Sequence, residues 1–75
     1  MRREEFLDMI GELLELPPGR LEGLEVLADL GWDSLAVVGF LGVVDERLGV
    51  VLSPEQIRNC VTPNDLAGLL GDGIS

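Results

Sequence analysis

The residue whose type and setting could do chemistry is Ser34, in the stretch Gly31-Trp32-Asp33-Ser34-Leu35. An apolar helical run follows it, so the serine falls on the first turn of a helix with its hydroxyl exposed. A serine becomes a nucleophile when a neighbouring base takes its proton. The chain contains no His and no Lys, so nothing in it is suited to that task. Ser34 therefore reads as a substrate for another enzyme. No acid–base pair or nucleophile–base set stands out elsewhere, and catalysis by the chain itself is not expected. Cys60 is the only cysteine, which excludes an internal disulfide, and without His a zinc site is not expected either. Its spacing from Ile57 makes Cys60 a core residue, in keeping with the burial preference of cysteine.

Four helices are expected to position Ser34. The first covers residues 3–15, with Phe6, Leu7, Ile10, Leu13 and Leu14 on one face and Glu4, Glu5, Asp8, Glu12 and Glu15 on the other. Pro17-Pro18-Gly19 is expected to stop it. Residues 17–32 form a long connection whose leucines and valines are too apolar for a solvated linker, so it is expected to pack over the core. The second helix begins after Asp33, a good N-cap because its carboxylate can accept a hydrogen bond from a free first-turn amide. Trp32 and Val37 are spaced as a hydrophobic staple. Gly49 is placed to end this helix after Leu48.

On a helical wheel Val37, Phe40, Leu41, Val44 and Leu48 share the inner face of the second helix. Phe40, Leu41, Val44 and Leu48 are expected to pack on Phe6, Ile10, Leu66 and Leu69. Leu35, Val38, Gly39, Gly42, Asp45 and Glu46 lie opposite, with Ser34 at the edge. Gly39 and Gly42 each cost about 1 kcal/mol relative to Ala inside a helix. Small residues beside exposed apolar ones suggest a surface that another protein approaches closely. Ser53-Pro54-Glu55-Gln56 is a capping box with Pro at the first helical position, and it opens a short third helix. Thr62-Pro63-Asn64-Asp65 repeats the device for a fourth helix that points Leu66, Leu69 and Leu70 inward and ends at Gly71. Val50-Val51-Leu52 reads as a packed loop.

The chain has 75 residues, which is one domain, 1–75, with too small a core to enclose a large active site. Hydrophobic residues make up 47% of it, too many for a disordered chain. Fourteen acidic residues against five basic ones give a net charge of −9. Such a charge repels nucleic acid and anionic membranes and favours partners with basic patches. No apolar run reaches membrane-spanning length. A cytoplasmic, free-standing monomer is expected.

Asp-Ser alone is only a helix start. With Leu35 after it, a long apolar loop ending in Gly-Trp before it, and an exposed apolar helix face behind it, the chain resembles a stand-alone acyl carrier protein along nearly its whole length. The resemblance implies an all-α, four-helix acyl-carrier-like bundle with a short third helix and a long loop between helices one and two. It implies that Ser34 receives 4′-phosphopantetheine from coenzyme A, through a phosphopantetheinyl transferase, with Asp33 and Leu35 as its motif neighbours. The arm's thiol would then carry cargo as a thioester, presented to loading and processing enzymes through Val38, Gly39, Gly42, Asp45 and Glu46. Carriers of fatty-acid synthesis place acidic residues where this chain has Ala36 and Gly39. The departure points to secondary metabolism of the polyketide type. Two alternatives stand beside this reading: a peptidyl or aminoacyl carrier, and an unmodified acidic helical module that binds basic partners.

Overall fold

Helices two to four of this chain each open on a side-chain cap, and those caps help place the fold. A computed structural model describes residues 1–74. The domain expected over 1–75 extends one residue beyond them.

Helix α1 spans Arg3–Leu13 and carries Glu4 and Glu5 in its first turn, where acidic side chains meet the positive end of the helix dipole. The spacing predicts a helix to residue 15 that Pro17 halts, but the helix ends earlier and by another device. The Leu16 N–H donates to the Gly11 carbonyl at 2.8 Å, and the Glu15 N–H donates to the Glu12 carbonyl at 3.1 Å. This is the paired pattern of a Schellman turn. Glu15 sits at φ 59°, a left-handed position that glycine usually fills. The prolines follow a helix that has already closed.

The connection to α2 holds one 3₁₀ turn, Leu27–Leu30. Leu21 and Leu27 are buried, as expected of a segment packed over the core. Leu24 and Val26 depart from that expectation and are exposed. At Leu24 the cause is local: the Glu25 carboxylate accepts from the Glu22 and Gly23 amides at 2.7 and 2.8 Å. The tight turn this makes carries Leu24 away from the core.

Helix α2 spans Ser34–Leu48 and closes at Gly49, whose φ of 67° lets its N–H reach the Asp45 carbonyl at 3.0 Å. Helices α3, Pro54–Arg58, and α4, Pro63–Leu70, both open with the expected capping boxes. In the first, the Ser53 N–H donates to Gln56 Oε1 at 2.9 Å. In the second, the Thr62 and Asp65 amides exchange bonds with each other's side chains at 3.1 and 3.2 Å. A 3₁₀ turn, Gly71–Gly73, follows α4. Among the described residues there is no strand, and Val50-Val51-Leu52 is a loop with Val51 exposed.

Helix α1 packs on α2 and α4, and α2 packs on α3. Phe6, Ile10, Phe40, Val44 and Leu66 are fully buried where these helices meet, with Leu27 and Ile57 sealing the flank. The expected partners Leu41, Leu48 and Leu69 are only half-buried. The seam of α2 follows Ala36, Phe40 and Val44, four residues apart, so Leu41 and Leu48 lie beside it. On α4 it follows Pro63, Leu66 and Leu70, which leaves Leu69 at the edge. The outcome is the expected all-α, four-helix bundle, with a short third helix and a long first connection.

Candidate functional site

Ser34 is the first residue of α2 and is exposed. Asp33 precedes it in extended conformation, and its Oδ1 accepts from the Ala36 N–H at 2.9 Å. The Val37 N–H reaches the Asp33 carbonyl at 3.0 Å. These two bonds use the third and fourth amides of the helix start. Those of Ser34 and Leu35 make no hydrogen bond within the described residues, so they stay available to a group at the end of the helix. Among the described residues no hydrogen bond engages the Ser34 hydroxyl.

Aromatic packing fixes where this helix start lies. The Trp32 ring meets Phe40 edge-on, with centroids 5.8 Å apart, and Phe40 meets Phe6 of α1 at 6.1 Å. The run from Trp32 through Phe40 to Phe6 ties the residue two before Ser34 to the centre of the core. The spacing of Trp32 predicts a staple with Val37; the ring contact that the structure shows is with Phe40. The Trp32 backbone N–H also donates to the Leu27 carbonyl at 3.3 Å, which anchors the 3₁₀ turn to the start of α2.

Of the surface residues expected opposite the core, Leu35 is 80% and Val38 65% exposed. Gly42 faces open space, and Asp45 and Glu46 are exposed. Asp45 lies eleven residues along the helix from Ser34, roughly 16 Å at 1.5 Å per residue, so the acidic pair is remote from the serine. Gly39 differs from the others. A Cβ there would stand 2.9 Å from Leu13 Cδ2, so its lack of a side chain also serves the approach of α1 to α2.

Beside Ser34 the surface dips into a groove of about 580 Å³. The 3₁₀ turn and Val26 form one wall; Val37, Val38 and Leu41 of α2 form another; Ile57 and Arg58 of α3, with Cys60 and Val61, complete it. The Leu27 N–H bonds to the Val61 carbonyl at 2.8 Å and holds two of these walls together. The sequence reading assigns Leu41 and Val26 to packing on the core and leaves Arg58 and Val61 without a role. Exposed valines in connections were the available signal, but their convergence needs the fold. Burial, with Asp65 nearby adding to it, pushes the Cys60 thiol above its ordinary range, so it remains protonated at neutral pH.

Such a site offers an exposed hydroxyl, two free amides at a helix start where a phosphate is favoured, and an apolar groove within reach. It suits a serine that another enzyme modifies. A family model described as "Phosphopantetheine attachment site" matches residues 4–70. Over 59 residues the chain is 37% identical to the non-reducing polyketide synthase ausA of Aspergillus calidoustus, a stretch covering 79% of this chain. The chain spans only 2% of that relative's length. No solved structure gives a significant match.

Proposed function

The chain belongs to the phosphopantetheine attachment family of carrier domains, and from that premise we propose that Ser34 is the residue to which 4′-phosphopantetheine is joined. The family is non-catalytic, and 4′-phosphopantetheine is its covalent cofactor. When bound, that group supplies a thiol able to hold an acyl chain as a thioester. The chain's own residues do the rest. Asp33 caps the helix and so holds the first turn on which Ser34 sits. Leu35 and Val38 present an apolar surface beside it, and the two free amides lie at a helix start, where a phosphate is favoured.

The carrier works with synthase and modifying enzymes. In our reading these are a phosphopantetheinyl transferase, then acyl-loading and processing enzymes of polyketide-type biosynthesis. The polyketide synthase relative favours acyl over peptidyl cargo. The chain acts as one carrier domain, a cytoplasmic monomer, and no helix among the described residues is long and apolar enough to cross a membrane. Tethering raises the concentration of cargo at each partner. Transfer then needs release, which a small interface permits.

The observation that carries this reading is the exposed, unengaged Ser34 at a capped helix start, within a family match over residues 4–70. Incubation with a phosphopantetheinyl transferase and coenzyme A should add one arm to the wild-type chain, read by intact mass. Ser34→Ala should keep its helical circular dichroism and gain nothing. Arm addition to the alanine variant would reassign the site. Val38→Asp places a charge where a desolvated contact should form, and it should lower the transferase kcat/KM by about tenfold. Asp45→Ala and Glu46→Ala should lower it less, with an effect that shrinks as salt rises.

A further inference from the structure

We propose that Arg58 gives the groove beside Ser34 a preference for acyl chains that bear oxygen acceptors over plain alkyl chains. The proposal rests on the attachment of the arm at Ser34. Ser34 and Arg58 line the same groove, whose other walls are almost wholly apolar. In a chain of net charge −9, Arg58 is the only cation in that lining. Among the described residues it makes no ion pair; the one salt bridge joins Arg2 to Glu5 on α1. Asp33, the carboxylate in the same lining, forms no ion pair with Arg58, and its Oδ1 accepts from the Ala36 amide.

Arg58 is in the last turn of α3, where a cation suits the helix dipole. A helix of five residues has little dipole to offer, and that role does not require the groove. Ile57 beside it is buried, so α3 turns Ile57 to the core and leaves Arg58 on the groove wall.

An alkyl chain laid against the guanidinium would strip water from it and return no hydrogen bond. A carbonyl or carboxylate oxygen on the chain would replace that water with a charge-assisted bond. Arginine suits such a place better than lysine because its planar, weakly hydrated head tolerates an apolar wall while still donating in a fixed fork. The occupant is therefore cargo held at Ser34, with its oxygen atoms directed to Arg58.

The test uses the full chain carrying the arm, loaded through a hydrolysis-resistant linkage with either hexanoyl or 3-oxohexanoyl, which differ by one carbonyl. Intact mass of the loaded wild-type and Ser34→Ala chains is read first, so an error in the attachment site appears there and is separable. The readout is the NMR shift of Arg58 Nε–H and of the Val38, Ile57 and Val61 amides. The 3-oxo chain should move all four and raise the ratio of groove-bound to free cargo roughly tenfold over hexanoyl, the scale of one hydrogen bond to a charged group. Arg58→Met should erase the difference, and Arg58→Lys should restore part of it. Equal shifts from the two chains would overturn the proposal, as would a preference that survives Arg58→Met. So would a full Arg58 shift on adding the unloaded arm with no change on loading, since that assigns the contact to the phosphodiester.

Discussion

The connection between α1 and α2 is held in two different ways along its length. Around residues 22–25 polar groups hold it. Glu25 ties the Glu22 and Gly23 amides, Arg3 donates to the Glu22 carbonyl and to Asn64 Oδ1, and the Asn64 N–H donates to the Gly23 carbonyl. This clasp joins α1 to the start of α4. Around residues 27–33 apolar packing holds it, through buried Leu27 and the Trp32–Phe40 ring contact. The packed half leads to Ser34 and walls the groove. Position at the site is thus set by packed rings, whose fit fixes location without consuming the amides and hydroxyl that the site must keep free. The polar clasp, farther along the chain from Ser34, does tethering work only.

Deleting the central ring breaks the packed half. Phe40→Ala should cost on the order of 3–5 kcal/mol, much of the stability of a domain this small. A urea midpoint measures it, and Trp32 fluorescence should shift with it because Trp32 loses its partner. A mild effect would mean that the packed half does not depend on Phe40.

The matching test of the polar half is Gly23→Ala. Gly23 has φ 112°, and a Cβ there would collide with the Arg3 guanidinium and the Asn64 side chain. The cost should be about 1–3 kcal/mol. If the comparison is sound, the folded variant is still modified at Ser34 at the wild-type rate, since the clasp does not position the serine.

Asp33→Ala sharpens the comparison at the site itself. It removes the one side-chain bond that caps α2 and should cost about 1 kcal/mol. Unlike Gly23→Ala it should also slow modification of Ser34, because the first turn frays. Stability and transferase kcat/KM measured on the same sample separate the two effects.

Acid provides the smallest test and acts first where a carboxylate holds backbone amides. The Glu22 N–H, with further help from the Gly23 N–H, holds the Glu25 carboxyl below its ordinary range. A depressed carboxyl stabilises the fold above its unfolded range, and that contribution is lost as pH falls through the folded value. The protection factors of the Glu22 and Gly23 amides, referred to the intrinsic exchange rate at each pH, should therefore fall on acidification below the ordinary glutamate range, before that of Trp32 changes. The Val61 amide should follow the polar pattern, since Val61 and Thr62 amides hold the Asp65 carboxyl low in the same way.

Helix starts were the most legible part of this chain. Asp33, Ser53 and Thr62 cap the helices that their types and spacing announce, because a cap is a bond between residues two or three apart. The exposed row Leu35, Val38 and Gly42 was legible for a similar reason: a helix of fixed period has only one inner face. The end of α1 was not. Glu15 takes a left-handed position that its side chain does not advertise, so the prolines looked like the stop.

By itself the sequence determined where α2, α3 and α4 begin, the exposed serine at the start of α2, and the family that these residues resemble. Each of those rests on hydrogen bonds or periodicity spanning a few residues. The tertiary structure alone decided that Gly39 meets Leu13, that Leu41 lines a groove while Ala36 joins the seam of α2, and that Arg58 shares that groove with Ser34. Those depend on the angle at which α3 and the 3₁₀ turn dock on α2. That angle is set by the joint packing of Phe6, Trp32, Phe40 and Ile57, whose separation along the chain no local pattern spans.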